Sequence, residues 1–214
     1  MNTITDFGDA AVVLPLSAVM LVWLLWVRAR RAAVSWVIAV SLCIVGTALL
    51  KIVLYVCPLV PDLVSPSGHT SLSTLIYGAL VLVIAAERRG WQRVTVLAAG
   101  AGLIVGIAAS RLLLNVHSAL EVGIGILIGT VTLALFASRY LRLRSEEKSL
   151  RPLILPAIAV ITLLHGHELR AEGFLHAISR YLHLGGKVCV AQDRAPRLTI
   201  PSSEGGAISA LTVA

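Results

Sequence analysis

From Ala33 to Val56 a single residue, Lys51, carries a charge. At about 1.5 Å of rise per residue, a helix of some 20 residues crosses the hydrocarbon core of a bilayer. Comparable apolar runs occupy residues 10–27, 70–86, 94–114 and 119–138, and a shorter one, with Pro156 inside it, occupies 152–166. Lipid leaves no partner for an open backbone N–H or C=O, so segments of this kind cross it as helices. The expected fold is therefore all-α: a polytopic membrane helical bundle of about six transmembrane helices over residues 1–167. These runs account for a hydrophobic share of 57%, against about 45–50% in ordinary soluble domains.

The charges between the runs orient them. Arg28, Arg30 and Arg31 follow the first run, Arg88, Arg89 and Arg93 the third, and Arg139, Arg142, Arg144, Lys148 and Arg151 the fifth. The connections after the second and fourth runs hold no Lys or Arg beyond Lys51 and Arg111. The positive-inside rule then places both termini, and both of those connections, outside the cytoplasm. The net charge of +7 is read in the same way. It sits in short loops and not along an aromatic-studded groove, so the membrane is the expected partner and nucleic acid is not. The expected location is a bacterial inner membrane. Asp6 and Asp9, with no basic residue ahead of the first run, argue against a cleaved signal peptide and for a retained anchor. Trp23, Trp26 and Trp36 lie near run ends, as in an interfacial aromatic belt.

Smaller signals remain. Gly125 and Gly129 form a small-xxx-small pair, which reads either as a close helix crossing or as simple tolerance of glycine in membrane helices. Cys43 lies mid-run as an apolar filler, while Cys57 and Cys189 could bridge if both faced an oxidising compartment. Ala171, Phe174, Leu175, Ile178, Tyr181 and Leu182 recur at helical spacing, which predicts an amphipathic interfacial helix over 168–191. Residues 192–214 read as a flexible tail.

Two polar islands interrupt the apolar pattern. Pro66-Ser67-Gly68-His69 opens the third run, where unpaired helix amides favour anions and glycine permits close approach. Ser110-Arg111 and His117-Ser118-x-x-Glu121 span the turn between the fourth and fifth runs. Ser118 and Glu121 have the spacing of a capping box. Glu121 also lies one helical turn from His117, close enough to hold one imidazole nitrogen as a donor and leave the other a free lone pair. Taken singly, Arg111 and Lys51 also suit snorkelling to headgroups. Neither the His165-Gly-His167 spacing nor Asp62 with Glu121 suits a metal site, and no cofactor is expected.

In order, Lys51, Pro66-Ser67-Gly68-His69 and Ser110-Arg111-x5-His117-x3-Glu121 resemble the three-part signature of the type 2 phosphatidic acid phosphatase superfamily, membrane lipid phosphatases related to vanadium haloperoxidases. The likeness covers residues 51–121 directly, and the layout of the runs extends it to about 166. Two positions depart from it. Glu121 stands where the family usually has aspartate, and Pro58 stands where the arginine of the first motif, Lys-x6-Arg-Pro, belongs. The resemblance implies an integral membrane, metal-independent lipid phosphatase acting at the non-cytoplasmic face. His117, oriented by Glu121, would form a phosphohistidine, and His69 would serve as acid and then base. Lys51, Ser67, Gly68 and Arg111 would bind the phosphate. Undecaprenyl diphosphate, phosphatidate, phosphatidylglycerol phosphate or a phosphorylated glycolipid would suit as substrate. A phosphotransferase, or a degenerate phospholipid-binding or transport protein, is the alternative.

Overall fold

Helices follow the apolar runs closely. The computed structural model describes residues 2–56, 63, 65–143 and 149–166, and every regular element among them is a helix. A short α1 (Asn2–Asp6) precedes α2 (Ala10–Trp26), α3 (Arg30–Val56), α4 (Gly68–Ala86), α5 (Gly90–Leu113), α6 (Ala119–Leu143) and α7 (Arg151–Leu164). The expected interfacial helix at 168–191, the tail at 192–214 and the Cys57–Cys189 pairing lie outside the described residues. Four helices, α3, α4, α5 and α6, are long and apolar enough to cross a membrane, while α2 and α7 are shorter apolar helices. The all-α membrane bundle is thus supported, with four spans of full length.

The helices reach further than the apolar runs. Arg30 and Arg31 open α3, Trp91 and Arg93 fall in the first turn of α5, and Arg139 and Arg142 belong to α6. Long cationic side chains extend to water from the terminal turns of a helix whose backbone remains internally bonded. α2 ends where the first apolar run does, just ahead of Arg28. Arg28 takes φ 56°, and Ala29 N–H and Arg28 N–H reach back to the carbonyls of Leu24 and Leu25 at 2.9 and 3.0 Å. This is a Schellman turn with arginine at the left-handed position that glycine usually fills.

α4 lies at the centre, packed most extensively on α6 and α5, and α3 packs on α6 as well. Gly125 and Gly129 make the α4–α6 crossing possible. A Cβ on Gly125 would stand 2.7 Å from the Ser67 carbonyl oxygen, and one on Gly129 would stand 2.5 Å from the Ser71 oxygen and 2.6 Å from Thr74 Cβ. Of the two readings of this pair, close helix approach is the one the structure realises. In lipid, where apolar surface gains little by leaving its solvent, such dispersion contacts carry helix association.

At the opposite end of α6 the core is aromatic. Trp36 meets Phe136 edge-on at 5.1 Å between centroids, and Phe136 stacks on Tyr140 at 5.5 Å. Here the expected tryptophan belt needs correction. Trp26 is 76% exposed, but Trp23 and Trp36 are each 1% exposed. A buried indole N–H needs an acceptor. Trp23 Nε1 donates to the Ser149 carbonyl at 3.1 Å and Trp36 Nε1 to the Ser17 carbonyl at 3.0 Å. These two residues tie α2, α3 and the segment leading into α7 together.

Gly129→Ala should lower stability by about 1–3 kcal/mol through overpacking, as measured by thermal unfolding in detergent. Gly123→Ala serves as the contrast. Its Cβ would meet nothing within 4 Å, so the variant should be unchanged or up to about 1 kcal/mol more stable.

Candidate active site at one end of the bundle

α5 ends where its sequence requires. Asn115 takes φ 52°, and Val116 N–H and Asn115 N–H donate to the carbonyls of Arg111 and Leu112 at 3.3 and 3.0 Å. That is a second Schellman turn, with asparagine, which tolerates the left-handed region, at the critical position. It reverses the chain immediately before His117 and leaves Arg111, half-buried, in the last turn of α5.

The capping box expected at Ser118 and Glu121 forms reciprocally. Glu121 N–H donates to Ser118 Oγ at 3.3 Å, and Ser118 N–H donates to Glu121 Oε2 at 3.0 Å. The same carboxylate does more than cap. Oε2 lies 2.8 Å from His117 Nδ1, and Oε1 accepts from Ser65 N–H at 2.7 Å. The Glu121 carbonyl also accepts from Ser67 N–H at 3.1 Å. Glu121 therefore joins the two polar islands, which are separated by some fifty residues of chain. With the proton of His117 on Nδ1, facing the carboxylate, Nε2 keeps its lone pair. The extra methylene relative to aspartate does not prevent contact with the imidazole.

The second island opens α4. Ser67 is its N-cap, accepting from Thr70 N–H at 3.4 Å and Thr70 Oγ1 at 2.9 Å. Gly68 begins the helix, and a Cβ there would meet nothing within 4 Å. Among the described residues, packing does not require glycine at this position. Lys51 is 3% exposed and lies one helical turn beyond Thr47, whose Oγ1 is 3.1 Å from Ser71 Oγ in the first turn of α4. α3 thus delivers Lys51 to the end of the bundle that carries Ser67 and Glu121. Pro58 lies outside the described residues.

His69 finds a partner that the motifs did not indicate. Its Nε2 lies 3.4 Å from Asp9 Oδ2, and the Asp9 side chain is 7% exposed. Sequence reasoning marked Asp9 only as an acid ahead of the first run. Its place as N-cap of α2 was readable from the apolar run that follows, but its reach to a residue sixty positions away was not. Ser65, Thr47 and Ser71, whose polar groups build the site wall, were missed for the same reason. His165 is 3.9 Å from Asp6 Oδ2 and packs on the Phe7 ring at 4.8 Å. His167 lies outside the described residues. Among the described residues no group of three or more His, Cys, Asp and Glu side chains is arranged to hold a metal ion.

Residues 61–145 match the family model of the PAP2 superfamily. Members of this superfamily are phosphatases acting on phosphate esters, often those of lipids. No curated protein and no solved structure matches the chain. The matched stretch includes His69, Arg111, His117 and Glu121, while Asp9 and Lys51 lie outside it.

Two substitutions separate the roles in this cluster. Glu121→Gln keeps the shape but offers one acceptor oxygen where two now serve three donors. It should lower turnover about 10²–10⁴-fold while costing about 1–3 kcal/mol of stability, read by phosphate release and thermal unfolding on the same preparation. Gly68→Ala should unfold as the wild type does, since its methyl group would meet no described atom within 4 Å, and should raise KM several-fold if the N-terminus of α4 receives the phosphate.

Proposed function

The match over residues 61–145 supports membership of the type 2 phosphatidic acid phosphatase (PAP2) superfamily, and on that premise we propose that this chain is an integral membrane phosphatase. It would hydrolyse a lipid phosphate or diphosphate at the non-cytoplasmic face. The observation that carries the reading is the 2.8 Å contact of Glu121 with His117 Nδ1, beside the helix N-terminus that begins at Gly68.

In the first step, His117 Nε2 attacks phosphorus as the bond to the ester oxygen breaks, and His69 gives its proton to the departing oxygen. In the second step, water returns that proton to His69 while its oxygen displaces Nε2 from phosphorus, releasing inorganic phosphate. Glu121 holds the Nδ1 proton and balances the positive charge that grows on the ring as the P–N bond forms. Lys51, Arg111, Ser67 and the Gly68 amide would take the three equatorial oxygens, whose charge spreads in the transition state. Lys51 contributes a point charge and Arg111 a planar fork. With no arginine between Arg31 and Arg88, this set is one cation smaller than the family's signature. That deficit favours, as a second reading, a relative that binds or transports a phospholipid without cleaving it. A phosphotransferase would share the first step and replace water with a lipid acceptor in the second.

Purified protein in detergent, incubated with a panel of lipid phosphates and diphosphates beside His117→Ala, decides between these readings. Release of phosphate by the wild type, lost in the variant and inhibited by vanadate as a mimic of five-coordinate phosphorus, is expected. Equal release by both proteins would contradict the role given to His117, and binding without release would favour the carrier. Transfer to an added lipid alcohol would mark the phosphotransferase.

A further inference from the structure

A second carboxylate–histidine pair lies at the start of α4, and it differs from the first in the ring nitrogen engaged and in the origin of its carboxylate. Glu121 engages Nδ1 of His117 from the adjacent turn of chain. Asp9 approaches Nε2 of His69 from the N-terminal end of another helix. The two oxygens of Asp9 divide the work. Oδ1 accepts from Ala11 N–H at 2.8 Å as the N-cap of α2, and Oδ2 faces His69.

The segment that carries Asp9 is fixed in place. Thr5 Oγ1 donates to Ser110 Oγ at 2.8 Å, next to Arg111. The Phe7 carbonyl accepts from Tyr77 Oη at 2.7 Å. Gly8 lies so deep between α4 and α5 that a Cβ would stand 2.8 Å from Ile107 Cγ2 and 3.1 Å from Ser73 Oγ. Residues 5–8 are therefore anchored on α4 and α5, and they hold Asp9 against His69.

We propose that Asp9 is the positioning residue of His69, holding its Nε2 so that Nδ1 of the imidazolium delivers the proton to an alkoxide leaving group. This inference rests on the phosphatase reading and deepens it. Transfer from Nδ1 to the ester oxygen leaves His69 neutral, with Nε2–H still facing Asp9. The attacking water then returns a proton to Nδ1. Alkoxides are poor leaving groups that need the proton, whereas an aryl oxide such as p-nitrophenolate departs without it. Asp9 therefore favours esters of aliphatic alcohols, the class to which lipid phosphates belong.

The test compares kcat/KM, which reports the steps up to departure of the leaving group, for dodecyl phosphate and p-nitrophenyl phosphate. Asp9→Asn is the informative variant, since asparagine caps helices as well as aspartate does; with its one oxygen on Ala11 N–H it turns an NH2 group, and no negative charge, toward His69. The ratio of kcat/KM for the alkyl over the aryl ester should fall by about tenfold or more, and Asp9→Glu should restore part of it. An unchanged ratio, with both values falling together or neither moving, would overturn the assignment and leave the phosphatase reading intact. His117→Ala is run alongside: loss of both activities upholds the phosphohistidine reading, and retention of them overturns that reading and this one together. Nitrogen NMR of the His69 ring gives a readout independent of turnover. A proton on Nε2 at neutral pH is expected in the wild type, and a bare Nε2 would overturn the proposal.

Discussion

One carboxylate holds the two halves of this site together. Glu121 receives His117 Nδ1, Ser118 N–H and Ser65 N–H at 2.8, 3.0 and 2.7 Å, and its own carbonyl receives Ser67 N–H. Hydrogen bonds to a charged acceptor contribute about 1.5–3 kcal/mol each, and leaving such a buried group unmatched costs more. The turn before α4 and the turn before α6 are consequently fixed by the same atoms that orient the imidazole. The same carboxylate serves both turns and the imidazole at once.

That contact exists only because α4 and α6 approach closely beneath it. Gly125 and Gly129 present backbone to the Ser67 and Ser71 carbonyls with no room for a Cβ. Around them the wall is built of short hydroxyl side chains that satisfy nearby backbone: Ser71 Oγ donates to the Gly68 carbonyl and Thr74 Oγ1 to the Thr70 carbonyl. The other end of the bundle is filled differently, by Trp23, Trp36, Phe136 and Tyr140, all nearly inaccessible. Small polar residues at one end permit close approach and anion chemistry, and large aromatic residues at the other set the helix spacing.

Much of this was legible in the sequence because it is local. The apolar runs mark the helices to within a few residues, Ser118 and Glu121 announce their capping box, and Ser67-Gly68-His69 announces a helix start. What escaped is what depends on distant parts of the chain. Asp9 reads as a cap, and nothing within ten residues of it names His69. Trp23 and Trp36 stand at run ends, where an interfacial ring and a buried one look alike until their acceptors, Ser149 and Ser17, are known. In lipid both faces of a helix are apolar, so hydropathy does not tell the buried face of α4 from the exposed face of α5. The Gly125–Gly129 pair could be recognised as a motif, but only the position of α4 gave it a partner.

The proposed reaction turns on which nitrogen of which histidine takes the phosphoryl group. Incubation with a lipid phosphate labelled at phosphorus, followed by an alkaline quench that preserves phosphohistidine, would answer it by peptide mass spectrometry and phosphorus NMR. The label should appear on His117 at Nε2, since Nδ1 is held by Glu121, and should be absent from His117→Ala. Label on His69, on Nδ1 of His117, or on no residue of a protein that is turning over would contradict it.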